Sequence, residues 1–239
     1  MSAAAHAAEL GVSHILLESE QHLSNTIYRY QKGKHVMAEP DALPLRSPLT
    51  FAAGTREKIL GEWDGGVAKV KTNVVHGCEV TAIAKQPAGH FAIKCANGRE
   101  FEADTVVLGI GLQGNIRKLG VAGEDLPFVQ YQLDDPDEYE GETIVVVGAG
   151  DAAIENAVAL ADKNKVIVIN RRDEFARAKE GNLQAIMKGI GEGRIECYFG
   201  SGPDLVEAVE GAAKPGRMAL STPNGKAEIA LDRVIARLG

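Results

Sequence analysis

The sequence predicts an α/β protein of two units, the second a complete strand–helix–strand set and the first an incomplete one. Three observations carry this. Residues 143–147 (TIVVV) and 165–169 (KVIVI) are short β-branched runs flanking a helix-like stretch that reaches Asp162, the pattern of parallel strands buried on both faces. Residues 2–10 are rich in Ala, Glu and Leu, stop at Gly11 and lead into the apolar run 12–17 (VSHILL), the later half of a second such set. Between them, segments 73–84, 90–95 and 100–103 and an Asn97-Gly98 turn predict a small antiparallel β-meander.

The remaining elements follow in order. Because the sequence opens inside a helix, the strand and turn of a full βαβ unit would lie before Met1, so a truncation at that end is expected. Residues 21–53, with Pro40, Pro44 and Pro48, read as a long irregular connection. Thr55 is a suitable N-cap for a helix over 55–70, in which Ile59, Leu60 and Trp63 fall at helical spacing. Residues 105–110 (TVVLGI) predict another buried strand, ending at Gly109 and Gly111. The acidic passage 123–141 reads as a solvated loop or linker, which sets the expected domains at 1–122 and 123–239. A helix over 182–189, a strand over 194–199 and two strands around Pro223-Asn224-Gly225 complete the chain, with Val234-Ile235 as a closing apolar pair.

Composition narrows the function. With 26 Lys and Arg against 33 Asp and Glu, the net charge is −7, which argues against a general nucleic-acid surface. No apolar run reaches the roughly 20 residues of a bilayer span, and the start lacks the basic segment of a signal peptide. A cytoplasmic protein without membrane partners is expected. The three cysteines, Cys78, Cys95 and Cys197, contain no C-x-x-C pair and suggest neither a disulfide framework nor a zinc site.

Chemistry concentrates after the strand 143–147. Gly148, Ala149, Gly150, Asp151, Ala152 and Ala153 form a G-x-G-x-x-A turn between strand and helix, the context that gives this pattern meaning. Gly148 permits the tight turn, Gly150 lets a pyrophosphate approach the backbone, and Ala153 lets the helix pack closely on the sheet. The helix N-terminus then receives phosphate charge. About 20 residues beyond the first glycine, where an NAD site places an acidic residue, the chain carries Asn170 followed by Arg171, Arg172 and Arg177. Guanidinium groups there suit a 2′-phosphate, so NADP(H) is the expected dinucleotide.

The motifs GAGDAAIE and NRRDEFAR, with the two apolar strands running into glycine, resemble the thioredoxin-reductase-like branch of the pyridine nucleotide-disulfide oxidoreductases. That resemblance implies two dinucleotide-binding, Rossmann-like three-layer domains, the first incomplete here. It also implies FAD in the first domain, with Glu18 as the acid on the adenosine ribose, and Val80, Gly109 and Gly111 near the flavin nucleotide. The family's FAD glycine loop would lie before Met1 and its last FAD segment after Gly239, so weak FAD binding by this chain is expected. Thioredoxin reductases carry a C-x-x-C pair shortly before the NADPH glycine loop, where this chain reads FVQYQLDDPDEYEGE, with no cysteine between Cys95 and Cys197. The implied activity is therefore hydride transfer from NADPH to FAD and on to a small-molecule or protein acceptor without a redox dithiol, with a homodimer as the candidate assembly.

Several residues tempt without matching a known chemistry. His14 and His76 lack the spacing of metal ligands, so packing or surface roles are expected. Cys78 and Cys95 can be neighbours across the meander, where buried structural thiols are the plainer reading. Asp151 and Glu155 suit the start of their helix through its dipole, with contact to the ribose as the alternative and helix stabilisation the plainer reading. No catalytic acid or base and no metal ligand is identified. The competing reading is an NADP(H)-binding module without redox activity; a dehydrogenase acting directly on substrate would want a Tyr-x-x-x-Lys or similar relay near the glycine loop.

Overall fold

The computed structural model describes residues 1–38, 45–111 and 116–238. Pro40 and Pro44 of the expected long connection, and the terminal Gly239, lie outside these. The chain divides into two compact units, Met1–Gly114 and Asn115–Gly239.

The first unit begins with α1 (Ser2–Glu9), which ends as its sequence dictates. Gly11 takes φ +66°, and the amides of Gly11 and Val12 donate to the carbonyls of Ala8 and Ala7, a Schellman closure that favours glycine. The elements that follow are β1 (Leu16–Leu17), α2 (Asn25–Tyr28), β2 (His35–Val36), β3 (Gly54–Thr55), α3 (Arg56–Lys69), β4 (Val74–Val75), β5 (Val80–Lys85), β6 (Phe91–Cys95) and β7 (Glu100–Ala103). β1 pairs in parallel with β4, β2 pairs with β3, and β5, β6 and β7 form the antiparallel meander. Thr55 Oγ1 accepts from the Lys58 amide and caps α3. Ala5, Leu23, Leu49 and Val67 form a small core on which Leu16, Trp63 and Val74 pack.

Two expected strands of this unit are corrected. Of 12–17 only Leu16–Leu17 is strand, with Val12 and Ile15 exposed. Residues 105–110 form no strand, and Val107, Leu108 and Ile110 are 72%, 67% and 89% exposed. An apolar run becomes a buried parallel strand only when strands flank it and helices cover it; among the described residues no strand pairs with 105–110.

The second unit is a three-layer sandwich. Its strands and helices are β8 (Val129–Gln130), β9 (Thr143–Val147), α4 (Asp151–Leu160), β10 (Lys165–Ile169), α5 (Glu180–Gly191), β11 (Ile195–Tyr198), β12 (Gly202–Ala208), β13 (Gly216–Thr222), β14 (Gly225–Leu231) and β15 (Arg233–Ala236). The central sheet runs β11-β10-β9-β15-β8, all parallel. β12, β13 and β14 form a separate antiparallel sheet. Side chains alternate across a strand, and β9 and β10 show what that does here. Ile144, Val146, Val166 and Val168 pack with Ile154, Leu160 and Ile186 of the helices. Val145, Val147, Ile167 and Ile169 pack with Val206, Met218, Leu220 and Leu231 of the antiparallel sheet.

Three strands of this unit, β8, β12 and β15, are not among the expected ones. The passage 123–141, read as a loop, contains β8 and a 3-10 turn, Pro136–Glu138. β12 begins Gly202-Pro203-Asp204, which masks its pattern, and β15, noticed only as an apolar pair, is a full sheet member against β9.

The return from β14 to β15 is pinned at Asp232. Its carboxylate accepts from the Thr143 amide at 2.7 Å and pairs with the Lys214 ammonium. Burial pushes this carboxyl up, but Lys214 and the Thr143 amide outweigh it and hold it below the usual aspartate value. A depressed folded-state pKa stabilises above the unfolded value and stops doing so as pH falls through the folded one. Asp232→Ala should cost about 1.5–3 kcal/mol at neutral pH in urea unfolding. That difference from wild type should shrink only as the pH is taken down through and below the usual aspartate range; a difference constant down to strong acid would contradict the assignment.

Candidate functional site

The first glycine of the loop is fixed by packing. Gly148 takes φ +138°, and a Cβ there would stand 2.2 Å from the Arg237 carbonyl oxygen and 3.2 Å from Ala153 Cβ. Its amide donates to the Ile169 carbonyl at 3.1 Å, tying the turn to the end of β10. Ala153 is buried against it, so the small residue that the motif requires is also the one the packing requires. The third party to this contact, the backbone of Arg237 after β15, is far away in sequence and reaches the turn only through the fold.

Gly150 differs in kind. It is the N-cap of α4, with φ −89° and no side-chain cap, and its own carbonyl accepts from the amides of Ala153 and Ile154. A Cβ built on it would meet nothing within 4 Å. The glycine therefore borders open space at a helix N-terminus, where the partial positive charge of the helix and its first amides point outward. Ala149 and Ala152 flank this opening, each half-buried. A phosphate fits such a cradle, and a side chain at Gly150 would fill it.

Asp151 is engaged with protein groups. Its Oδ1 accepts from the Lys179 amide at 2.9 Å and from Asn182 Nδ2 at 2.8 Å, and Asn182 also donates to Glu155 Oε1 at 3.2 Å. Asp151 and Glu155 thus clasp the start of α5 to the start of α4. Lys179 and Asn182 went unnoticed in the sequence because only the fold brings them to the glycine loop.

Asn170 directly follows β10 and is buried. Its side chain folds the next turn: Nδ2 donates to the Glu174 carbonyl at 3.0 Å and Oδ1 accepts from the Arg172 amide at 3.0 Å. Phe175, packed edge-on against Phe199 at 5.5 Å, anchors the far side of the turn. Arg171, Arg172 and Arg177 are exposed, and among the described residues none of the three is in an ion pair. Since β9 and β10 are neighbours with Val147 opposite Ile169, this guanidinium turn and the glycine loop leave the same edge of the sheet. Ligands of open parallel sheets bind at the carboxyl ends of the strands.

In the first unit Glu18 stands directly after β1. Its Oε1 accepts from the Glu20 amide at 3.1 Å and the Ser19 hydroxyl at 3.2 Å, and its carbonyl accepts from the Cys78 amide at 2.8 Å. Val80 opens β5 and is exposed, and Gly109 and Gly111 lie in the exposed segment that forms no strand. His14 is structural: Nδ1 meets the Val12 carbonyl at 2.8 Å and Nε2 accepts from the Asn73 amide at 3.1 Å, joining the lead-ins of β1 and β4. Burial pushes the Cys197 thiol on β11 up to about 12, which disfavours its thiolate.

A family model for pyridine nucleotide-disulphide oxidoreductases matches residues 1–239, and the chain belongs to that family. A ferredoxin–NADP reductase from Ignicoccus hospitalis is 30% identical over 144 residues, covering 60% of this chain and 45% of the relative. One from Polaromonas naphthalenivorans is 31% identical over 172 residues, covering 68% of this chain and 46% of the relative. These matches span less than half the length of either relative. Among solved structures, the bacillithiol disulfide reductase of Staphylococcus aureus superposes with TM-score 0.86 at 19% identity, covering all of this chain and 72% of that one. The thioredoxin reductase of Lactococcus lactis superposes with TM-score 0.78 at 18% identity, covering all of this chain and 73% of that one. At such identities the likeness is one of fold alone, an α/β fold matching these reductase structures.

The two glycines should separate in experiment. Gly148→Ala meets a backbone carbonyl in a conformation that alanine resists, and should destabilise the second unit by about 2 kcal/mol or more. Gly150→Val, whose side chain enters open space, should cost only about 1 kcal/mol or less, the penalty of an apolar β-branched residue at an N-cap. Equal losses in both variants would contradict the geometry.

Proposed function

We propose that this chain carries the dinucleotide-binding machinery of an oxidoreductase that takes hydride from NADPH to FAD and onward to an acceptor, without a C-x-x-C relay. The observation that carries the reading is the pairing, on one sheet edge, of an open glycine cradle at Gly150 with the exposed guanidinium groups of Arg171 and Arg172. In this reading the first amides of α4 hold the pyrophosphate and the two arginines hold the 2′-phosphate. Asn170 presents them by folding their turn, and Arg177 adds a third positive charge. Asp151 keeps α5 against α4 so that the cradle keeps its shape.

The first unit is the proposed flavin side, with Glu18 toward the adenosine ribose and Val80, Gly109 and Gly111 along the nucleotide. NADPH supplies a hydride and FAD relays electrons, so the protein's task is to bind and orient. Support for a protein acceptor of the ferredoxin type comes from the relatives named ferredoxin–NADP reductase. No C-x-x-C precedes the glycine loop, which favours an acceptor outside the chain over a dithiol within it.

With FAD supplied at concentrations high enough to offset weak binding, the purified chain and NADPH should reduce an artificial acceptor such as ferricyanide, and Gly150→Val should abolish this along with NADPH binding. A protein that binds NADPH yet takes up no flavin and reduces nothing would replace this proposal by the binding-module reading. Arg171→Ala with Arg172→Ala should weaken NADPH by about 1.5–3 kcal/mol for each lost contact and leave NADH nearly unchanged in fluorescence titrations. Equal weakening of both would remove the arginines from the 2′-phosphate site.

A further inference from the structure

Cys78 and Cys95 have no part in the function proposed above, yet the fold brings their sulfurs to 2.6 Å. Cys78 is 1% and Cys95 5% exposed. Cys78 lies two residues before β5 and Cys95 ends β6, with Val80 opposite Cys95 in the register. Both backbones are held. The Ala96 amide donates to the Glu79 carbonyl at 2.8 Å, the Cys95 amide to the Arg99 carbonyl at 2.9 Å, and Asn97 Nδ2 to the Gly77 carbonyl at 2.8 Å. The Cys78 amide donates to the Glu18 carbonyl at 2.8 Å, so the pair sits one hydrogen bond behind Glu18.

We infer that Cys78 and Cys95 are a thiol–disulfide pair, oxidised by small-molecule disulfides of the glutathione type, whose bond locks the β5–β6 hairpin to the turn behind Glu18. The exchange balances. One cysteine thiolate attacks the small disulfide, forming a mixed disulfide and releasing one small thiol. The neighbouring cysteine then attacks that mixed disulfide, forming the Cys78–Cys95 bond and releasing the second small thiol. The protein loses two hydrogens and two electrons, and the small disulfide gains both. Proximity makes the second step effectively intramolecular, so the mixed disulfide does not accumulate. The first step is slow, because the sulfurs are buried and Cys95 is pushed up to about 11, by burial first and then by the Cys78 thiol beside it. The reduced pair therefore waits for an opening of the hairpin. Cys197, on β11 of the other unit, serves as an internal control.

The full chain is incubated with oxidised glutathione, quenched in acid, alkylated in denaturant and mapped by peptide mass. The expected result is a Cys78–Cys95 cross-linked peptide, a mass loss of about 2 Da and alkylation of Cys197 alone. The Cys197→Ser variant should form the same cross-link and leave no alkylatable thiol. In Cys78→Ser or Cys95→Ser, whichever folds, the remaining thiol should accumulate as a glutathione adduct. Limited proteolysis within the hairpin should slow about tenfold or more on oxidation and revert with dithiothreitol. Three alkylatable thiols at every glutathione ratio, separate glutathione adducts on Cys78 and Cys95 in the wild type, or unchanged proteolysis would each overturn the inference.

Discussion

Everything in the second unit is arranged around the burial of β9 on both faces. All five of its residues are buried, three of them completely, and the strand is hydrogen-bonded to β10 on one side and β15 on the other. A strand so enclosed can turn only at its end, and there the backbone of Arg237 presses on the turn. Gly148 is the residue that fits between that carbonyl and Ala153. Once the turn is fixed, the axis of α4 is fixed, and its uncapped N-terminus opens at Gly150 beside the end of β10. The packing core and the candidate site are thus one construction: the apolar alternation that drives folding also aims the helix.

Electrostatics in this unit divides in a way that suits an anion. Asp151 and Glu155, which would oppose a phosphate at the start of α4, are drawn toward Lys179 and Asn182. Arg171, Arg172 and Arg177 stay exposed in a chain whose net charge is −7. Elsewhere in the unit cations are held by carboxylates, as Arg233 is by Glu142 and Arg217 by Glu207 and Glu228. An exposed guanidinium cluster beside a helix N-terminus gathers positive potential where the general background is negative.

The glycine loop and its two strands were legible from sequence because their signals are local. β-branched runs, glycine spacing and a small residue at position 153 are properties of short segments, and each agrees with the packing that surrounds it. Asn170 stands out by its count from Gly148, but its work in folding the arginine turn depends on the Glu174 carbonyl and the Arg172 amide, which the pattern does not announce. Lys179, Asn182 and the Arg237 carbonyl reach the site only through the tertiary fold. In the first unit the same rule failed in the other direction. Residues 12–17 and 105–110 have the composition of buried strands, but burial is a property of neighbours, and the described residues pair only Leu16–Leu17. The cysteine contact was open to inference from the hairpin register, though not the closeness of the sulfurs.

In the function proposed above, the opening at Gly150 and the arginine turn form one dinucleotide site. Amide chemical shifts of the isotope-labelled chain, followed as NADPH is titrated in, test this most directly, because they report on each residue of the loop without requiring turnover. Saturable shifts are expected at Gly150, Asp151, Ala152 and Ala153 together with Arg171 and Arg172, with the arginine shifts absent when NADH is used. Shifts confined to other residues, or the same arginine shifts with both nucleotides, would contradict that single site.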